Sequence, residues 1–329
     1  MSEKETNPVV QARHAAYQTP ASVIRDLVRE ATGQAASSVE KIAQGYDNEV
    51  YRVTLDTLSA EPVFVRLRRH GDTPFSQEAW AIARAHAAGV PVADVLLLAT
   101  RVLDDGPPRE VMVQRTVPGR PADELWPLLS PAERAELGTR AGAALRRLHS
   151  ISVDGFYRRH EDGSWDFPDG QSIAASARRN RAAEAPFLRR AGFDDAEIAR
   201  LLSVLDASLA EYSQTPPVLC HGDFKPAHWF FDDSLTLTGV IDFGDFQGGP
   251  ALLDFARLSL YAPDVDLTHV LAGYGEPNEG RDEWTRRLQR FLVGQAVGYL
   301  AHVMRQDDSA GAKYFARRLR ELLIVLRNN

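Results

Sequence analysis

The segment HGDFKPAHWFF occupies positions 221–231 and decides how the rest of the chain is interpreted. It places Asp223 shortly before His228, a side chain that can bind a metal ion. Further along, Asp242 follows an apolar, strand-like run and precedes Phe243-Gly244. Transfer of a phosphoryl group requires a carboxylate that orients and deprotonates a hydroxyl, ligands for magnesium and cations for the phosphates. The two motifs supply these groups in order and therefore predict a phosphoryl-transfer site.

The two motifs resemble the signature of the aminoglycoside phosphotransferase family, a small-molecule branch of the protein-kinase-like fold. That signature has His-Gly-Asp, four residues, Asn or His, a short hairpin and then Ile-Asp-Phe-Gly-Asp, all present here. The segment GGPALLDFARL at 248–258 also fits, and the resemblance spans about residues 40–260. It implies an α+β, two-lobed kinase-like fold with a small antiparallel-sheet N-lobe and a mainly helical C-lobe.

The resemblance implies a chemical role for four residues of the motifs. Asp223 would be the catalytic base for the acceptor hydroxyl, and Lys225 would reach the γ-phosphate. Asp242 and His228 would hold Mg²⁺ beside the phosphates of ATP or GTP. The expected reaction is the transfer of the γ-phosphoryl group to a hydroxyl.

Three further residues would support this site without reacting. His221 would brace the catalytic loop and Asp254 the helical lobe, while Phe230 would form part of the floor under the nucleotide base. His149, at the end of a predicted helix, is interpreted as a cap or surface residue.

His228 stands where an asparagine is expected. Magnesium prefers oxygen ligands to imidazole, so an inactive kinase-like protein is one alternative. The presence of Asp223, Lys225 and Asp242 argues against a decayed site. Branches of the family that act on the 2″ position of aminoglycosides or on macrolides are similar to this chain in carrying His there. A zinc hydrolase would need a further His or Cys at short spacing, and none is evident.

The nucleotide-covering turn is predicted around Gly45 and Asn48, between two strands of the segment 41–55, because Gly and Asn tolerate the backbone angles of a tight turn. The following strand lacks a phosphate-binding lysine. Arg66 stands in its expected place, although a different register would select Arg68, and arginine binds phosphate with another geometry. Glu78, on the next predicted helix, is the candidate ion-pair partner.

The lobes are predicted to be residues 1–113, which cover the nucleotide, and residues 120–329, which hold the catalytic loop, metal site and acceptor pocket. The hinge at 114–119 would bond the base near Gln114 and Thr116. The other expected elements are helices at 20–32, 75–88, 130–151, 172–190, 194–213, 250–261, 282–304 and 309–326, strands at 63–69, 94–100 and 109–115, and a loop or insertion at 152–172.

Composition narrows the class of protein. The chain has 329 residues, a net charge of −7 and one cysteine, Cys220. The negative charge disfavours a nucleic-acid partner, and a single cysteine permits no intramolecular disulfide. No apolar run reaches the length of a membrane span and the N-terminus lacks a signal-peptide pattern. We therefore expect a cytoplasmic monomer or homodimer with no membrane partner.

The acceptor is the least constrained part of the prediction. Carboxylates that could bind an amine-rich acceptor occur in pairs at Asp264/Asp266, Glu276/Glu279 and Asp282/Glu283. Solvated loops and helix caps explain these pairs equally well. The expected function is inactivation of an antibiotic of aminoglycoside, macrolide, nucleoside or peptide type. The alternatives are a metabolic kinase acting on choline, a sugar or an amino alcohol, and a nucleotide-binding regulatory pseudokinase.

Overall fold

The computed structural model describes residues 18–42, 48–57, 61–69, 73–103, 107–180 and 183–328. Its N-terminal part is a five-stranded antiparallel sheet with one helix on it. The helix is α1 (Ala21–Thr32), and the strands are β1 (Ala36–Ile42), β2 (Asn48–Leu55), β3 (Val63–Arg68), β4 (Val95–Val102) and β5 (Pro108–Arg115). Their order across the sheet is β1-β2-β3-β5-β4.

Alternation of side chains along β3 divides the sheet into an apolar and a polar face. Val63, Val65 and Leu67 are buried and pack with residues of α1, whereas Arg66 and Arg68 project from the other face. Successive side chains of a strand point to opposite faces, so the sequence pattern alone predicts that Arg66 and Arg68 share the face opposite the apolar core.

Helix α2 (Phe75–Ala87) follows the sheet in sequence but packs elsewhere. Its buried residues Ala81, Ile82 and Ala85 belong to the large apolar cluster of the C-terminal part, which is separate from the cluster under the sheet. The helix therefore lies between the two cores.

The C-terminal part is mainly helical. Its helices are α3 (Ala122–Leu125), α4 (Pro131–His149), α5 (Gly170–Asn180), α6 (Ala185–Arg190), α7 (Asp195–Ser208), α8 (Ala210–Gln214), α9 (Leu252–Tyr261), α10 (Leu267–Tyr274), α11 (Arg281–Arg305) and α12 (Ser309–Asn328). The predicted capping box of α4 is confirmed, since Ser130 and Glu133 exchange hydrogen bonds at its first turn. The α+β architecture expected from the sequence is confirmed.

Two small sheets carry the loops of the site. One has the order β11-β10-β6 and the other β8-β7-β12-β9. The strands are β6 (Arg120–Pro121), β7 (Phe156–Arg159), β8 (Trp165–Phe167), β9 (Val218–Cys220), β10 (Trp229–Phe231), β11 (Leu237–Val240) and β12 (Gln247–Gly249). Among the described residues, no helix is both long and apolar enough to span a bilayer.

Two predictions about the middle of the chain are wrong. The expected loop at 152–172 contains the hairpin β7–β8, whose partners include Phe156 and Phe167. The single helix expected at 172–190 is two helices, because Pro186 occupies the first turn of α6. Proline is tolerated in a first turn but not within a helix, so the chain starts a new helix there.

Candidate active site

The predicted catalytic loop, residues 221–228, leaves the end of β9 through a turn that only glycine fits. Gly222 has a φ of +83°, and a Cβ on it would lie 1.8 Å from the carbonyl oxygen of Asp245. The next residue, Asp223, receives a hydrogen bond of 2.6 Å from Lys225 Nζ to its Oδ2. The close approach of the two backbones places the Asp223 carboxylate beside the loop that follows Asp242.

His228 is oriented so that one ring nitrogen faces Asp242. Its Nδ1 lies 2.9 Å from the backbone carbonyl of Asp223, which can only accept, so Nδ1 carries the proton. The unprotonated Nε2 then faces Asp242 Oδ2 at 3.5 Å. An imidazole held in this tautomer offers a lone pair for a metal ion on the side where the second carboxylate lies.

Asp242 adopts a left-handed conformation with φ of +66° and ψ of +63°. Non-glycine residues seldom do so, and such backbones cluster at functional sites. Its side chain is 50% exposed and lies 4.0 Å from Arg66 Nη2. Burial opposes ionisation, yet the interactions of Asp242 with His228 and with the Arg66 guanidinium hold its pKa below the usual value. The carboxylate is thus kept ionised and accessible.

A divalent cation fits these residues. One ligand atom each from Asp223, His228 and Asp242 lies within 4.8 Å of the others. Magnesium is commonly held by one or two carboxylates, with water and substrate phosphates completing its shell. Asp242 with His228 matches that pattern, with His228 the softer ligand, and the Asp223 carboxylate lies beside them.

The geometry distinguishes the two arginines of β3. Arg66 Nη1 lies 2.5 Å from Glu78 Oε1, and its guanidinium also approaches Asp242. Arg68 instead pairs with Glu110 at 3.2 Å. Arg66 therefore occupies the position that the sequence predicts for a phosphate-binding cation, and Glu78, 2% exposed, is its buried partner.

Asp254 ties the catalytic loop to α4. Its carboxylate accepts hydrogen bonds from the backbone N–H groups of Gly222 at 2.7 Å and His221 at 2.8 Å. His149 Nε2 lies 2.9 Å from the same carboxylate, and its Nδ1 is 3.0 Å from the Tyr274 hydroxyl. The interpretation of His149 as a cap or surface residue is wrong, because it is buried against Asp254, which neighbours it only in the folded chain.

His221 is neutral because of its hydrogen bonds. Its Nε2–H donates to the Ile241 carbonyl at 3.0 Å, and its Nδ1 accepts from the Asp223 backbone N–H at 3.2 Å. Protonation of Nδ1 would break the second bond. Burial lowers the pKa of His221 from 6.5 to about 4, against the opposing charge of Asp254.

This depressed pKa predicts a loss of stability in mild acid. Between about pH 6.5 and 4 the unfolded chain binds a proton at His221 that the folded chain does not, so stability falls as pH falls through that window. The wild-type protein should lose unfolding free energy when the pH is lowered from 7 to 4.5. In the His221→Asn variant we expect this loss to be smaller by on the order of 2 kcal/mol. Urea denaturation at the two pH values measures it, and equal losses in both proteins would contradict it.

The other residues predicted to bind the nucleotide lie in different surroundings. Gly45 lies outside the described residues. Asn48 begins β2 opposite Arg68. The Gln114 side chain accepts from Arg66 at 3.4 Å, and the Thr116 hydroxyl donates to the Pro62 carbonyl at 2.5 Å.

Phe230 lies on the half-buried face of β10, between two fully buried neighbours. Its role as a floor for the base remains a prediction.

Most of the acidic acceptor candidates are engaged in the fold. Asp266 caps α10 by accepting from the Thr268 N–H at 2.8 Å. Glu276 pairs with Arg281 at 2.6 Å, and Glu283 pairs with Arg286 at 2.9 Å. Glu279 forms an ion pair with Arg287, and Asp264 and Asp282 are exposed. The structure therefore does not gather these carboxylates into one acidic pocket.

Several side chains near Asp223 escaped the sequence reasoning. Asp245 approaches Asp223 and Asp242 closely enough that burial and both negative charges raise its pKa, against the opposing charge of Arg257. Arg257 donates to the Gly222 carbonyl and lies 5.7 Å from the ring centre of Tyr299. Asp245 is the last residue of the Ile-Asp-Phe-Gly-Asp motif, and its place in that motif could have identified it as a residue of the site.

Comparison with known proteins agrees with this arrangement. A sequence model described as the phosphotransferase enzyme family matches residues 38–288. The fold is similar to a thermostable mutant of aminoglycoside phosphotransferase APH(4)-Ia, with TM-score 0.68 and 15% identity over 92% of this chain and 98% of that one. ADP-bound aminoglycoside phosphotransferase APH(2″)-Ib gives TM-score 0.57 at 15% identity, over 92% and 98%. Macrolide 2′-phosphotransferase type I gives 0.53 at 15%, over 92% and 99%.

One sequence relative covers only part of the chain. A thymidylate kinase of Neorickettsia sennetsu (strain ATCC VR-367 / Miyayama) is 32% identical over 103 residues, or 31% of this chain and 50% of that protein. The chain thus spans about half the length of the curated relative it matches, and we transfer no residue role from it.

Proposed function

Because the chain belongs to the phosphotransferase enzyme family, we propose that Asp223 and Asp242 serve the transfer of the γ-phosphoryl group of ATP or GTP to a hydroxyl of a small molecule. The observation that carries this proposal is the cluster of Asp223, His228 and Asp242 beside the Arg66–Glu78 pair. The cluster combines a base, metal ligands and a phosphate-binding cation within one cleft, which is what this reaction requires.

Each residue has a role that follows from its position. Asp223 accepts the proton of the attacking hydroxyl and orients it, while Lys225 adds positive charge next to that carboxylate. Arg66, held by Glu78, meets the phosphates from the sheet side. Asp242 and His228 would hold Mg²⁺, which supplies charge neutralisation on the transferred group when bound.

We infer the side on which the acceptor enters from the chemistry of the transfer. In-line displacement puts the attacking and leaving oxygens on opposite sides of the transferred phosphorus. The phosphates take the side of Asp223 that faces Asp242 and Arg66. We place the acceptor beside Lys225, whose Nζ lies 2.6 Å from Asp223 Oδ2 and 5.5 Å from the ring centre of Tyr261.

The acceptor side offers aromatic surface with little free negative charge. Tyr261 is 39% exposed, and its ring centre lies 5.2 Å from that of Tyr299. Lys225 and Arg257 contribute positive charge, and the nearby Asp245 interacts with both Arg257 and Arg158. We therefore favour an antibiotic with a neutral or weakly charged apolar face, of macrolide, nucleoside or peptide type, over a polycationic aminoglycoside.

A panel of antibiotics incubated with the enzyme, Mg²⁺ and ATP or GTP tests the proposal. Mass spectrometry is expected to show one added phosphate on a neutral or weakly charged compound. Addition to polycationic aminoglycosides alone would contradict the acceptor class while supporting the reaction. No addition to any compound, with nucleotide still bound, would favour a metabolic acceptor first and a regulatory pseudokinase second.

A further inference from the structure

The β7–β8 hairpin of the C-terminal part contacts the helix that carries Glu78. Arg159, the last residue of β7, donates a hydrogen bond of 2.7 Å from Nη1 to Gln77 Oε1. Its guanidinium carbon lies 4.5 Å from the ring centre of Trp80. Gln77 and Trp80 flank Glu78 in the first turns of α2, so both contacts meet the turn that presents the carboxylate to Arg66.

The Trp80 ring packs against the β7–β8 hairpin and against the segment that follows Asp242. Its centre lies 6.1 Å from that of Trp165 on β8 and 5.8 Å from that of Phe246, which follows the Asp242 loop. Gln77 is 4% exposed, so its hydrogen bond with Arg159 is largely shielded from water. Hydrogen bonds and cation–π contacts gain strength when water is excluded from them.

The hairpin is itself tied to the metal-binding loop. Tyr157 of β7 pairs with Gly248 of β12, the strand that follows Asp242 along the chain. A Cβ on Gly248 would lie 2.0 Å from the Gly155 carbonyl oxygen, so the two segments are in close backbone contact. A continuous set of contacts thus runs from the Asp242 loop through the hairpin and Arg159 to α2.

We propose that Arg159 is a positioning residue that holds α2 in place, so that Glu78 fixes Arg66 for the nucleotide phosphates. The apolar face of α2 packs on the C-terminal core, but apolar packing does not by itself fix the rotation of a helix. Arg159 adds a directional hydrogen bond to Gln77 and a ring contact to Trp80 on the same helix. Arg66, 4.0 Å from Asp242, then depends on the hairpin for its place through Glu78 and α2.

Nucleotide affinity tests the role of Arg159 without any acceptor. We expect Arg159→Ala to weaken binding of Mg²⁺·ATP by about tenfold, because a hydrogen bond and a cation–π contact are lost. Arg320→Ala is the matched control, since Arg320 lies 4.7 Å from the Phe193 ring centre and donates to the Ala191 carbonyl at 3.0 Å, remote from the site. Both variants should lose similar thermal stability, and only Arg159→Ala should bind ATP less tightly.

A double substitution separates positioning from general stabilisation. If Arg159 acts through Glu78, Arg159→Ala should change ATP affinity little in a protein that already carries Glu78→Gln. Independent, additive losses would overturn the proposal, as would equal ATP affinity in Arg159→Ala and Arg320→Ala.

Hydrogen–deuterium exchange of the nucleotide-free protein provides a readout that does not depend on the proposed reaction. Arg159→Ala is expected to speed exchange of the amides in Phe75–Ala87, and Arg320→Ala is expected to leave them unchanged. Unchanged exchange in both variants would overturn the positioning role. A wild-type protein that binds no ATP would instead overturn the proposed function, and the exchange result would still decide the role of Arg159.

Discussion

Replacing Asp223 with asparagine is expected to reduce phosphoryl transfer by about 10²–10⁴-fold while nucleotide binding persists. Asparagine matches aspartate in shape, and its amide oxygen can still accept from Lys225, which lies 2.6 Å from the native carboxylate. The loop should therefore keep its conformation. The amide cannot take a proton from the acceptor hydroxyl at neutral pH, so the loss falls on kcat. Turnover is measured with an acceptor found in the antibiotic panel, and ATP affinity by calorimetry.

The control for this prediction is Asp206→Asn. Asp206 lies on α7, has a half-exposed side chain and pairs with Arg178 at 3.6 Å, away from the cleft. This variant should keep full activity, which separates loss of the base from loss of one negative charge. Unchanged turnover in Asp223→Asn would refute the assignment of Asp223 as the base.

The largest expected effect on stability comes from Asp254→Asn. The Asp254 carboxylate is 0% exposed and serves three donors, the N–H groups of Gly222 and His221 and Nε2 of His149. An asparagine offers one acceptor oxygen, and its NH₂ group would face a donor in place of the other. At least one buried donor would lose its partner, so we expect the free energy of unfolding to fall by about 3 kcal/mol.

Urea denaturation at pH 7 measures this loss, with Asp206→Asn again as the exposed control. Activity should fall too, because the backbone of His221 and Gly222 leads directly into Asp223. An unfolding free energy within error of the wild-type value would show that the three hydrogen bonds do not hold the loop. Activity lost without any loss of stability would give Asp254 a more direct role than bracing.

The motif residues could be predicted because they are close in sequence. Asp223, Lys225 and His228 share one short loop, and a loop of this length keeps them near one another in any fold. Asp242 follows a hairpin that returns the chain to the same place, since Trp229 of β10 pairs with Val240 of β11. Arg66 was ambiguous with Arg68 because both lie on the same face of β3 and only the placement of α2 distinguishes them.

Other residues could not have been assigned to the site from the sequence. His149 ends a helix in a pattern that also fits a surface position, and its partner Asp254 is distant along the chain. Arg159 lies in a segment whose glycines, aspartates and aromatic residues indicated a loop, although it forms a hairpin. The acidic pairs of 264–283 have the composition of a cation-binding pocket, yet most are used in helix caps and ion pairs.

The sequence by itself determined most helices and strands outside residues 152–190, the reaction type expected of the motif loops and the shared face of Arg66 and Arg68 on β3. These depend on local periodicity, turn chemistry and short spacing, which act within a few residues of each other. Only the tertiary structure decided that Arg66 and not Arg68 pairs with Glu78, that Asp254 joins α4 to the catalytic loop and that the β7–β8 hairpin reaches α2. The first contact joins residues 12 positions apart and the other two join residues 105 and 82 positions apart, so packing of the chain is needed to bring them together.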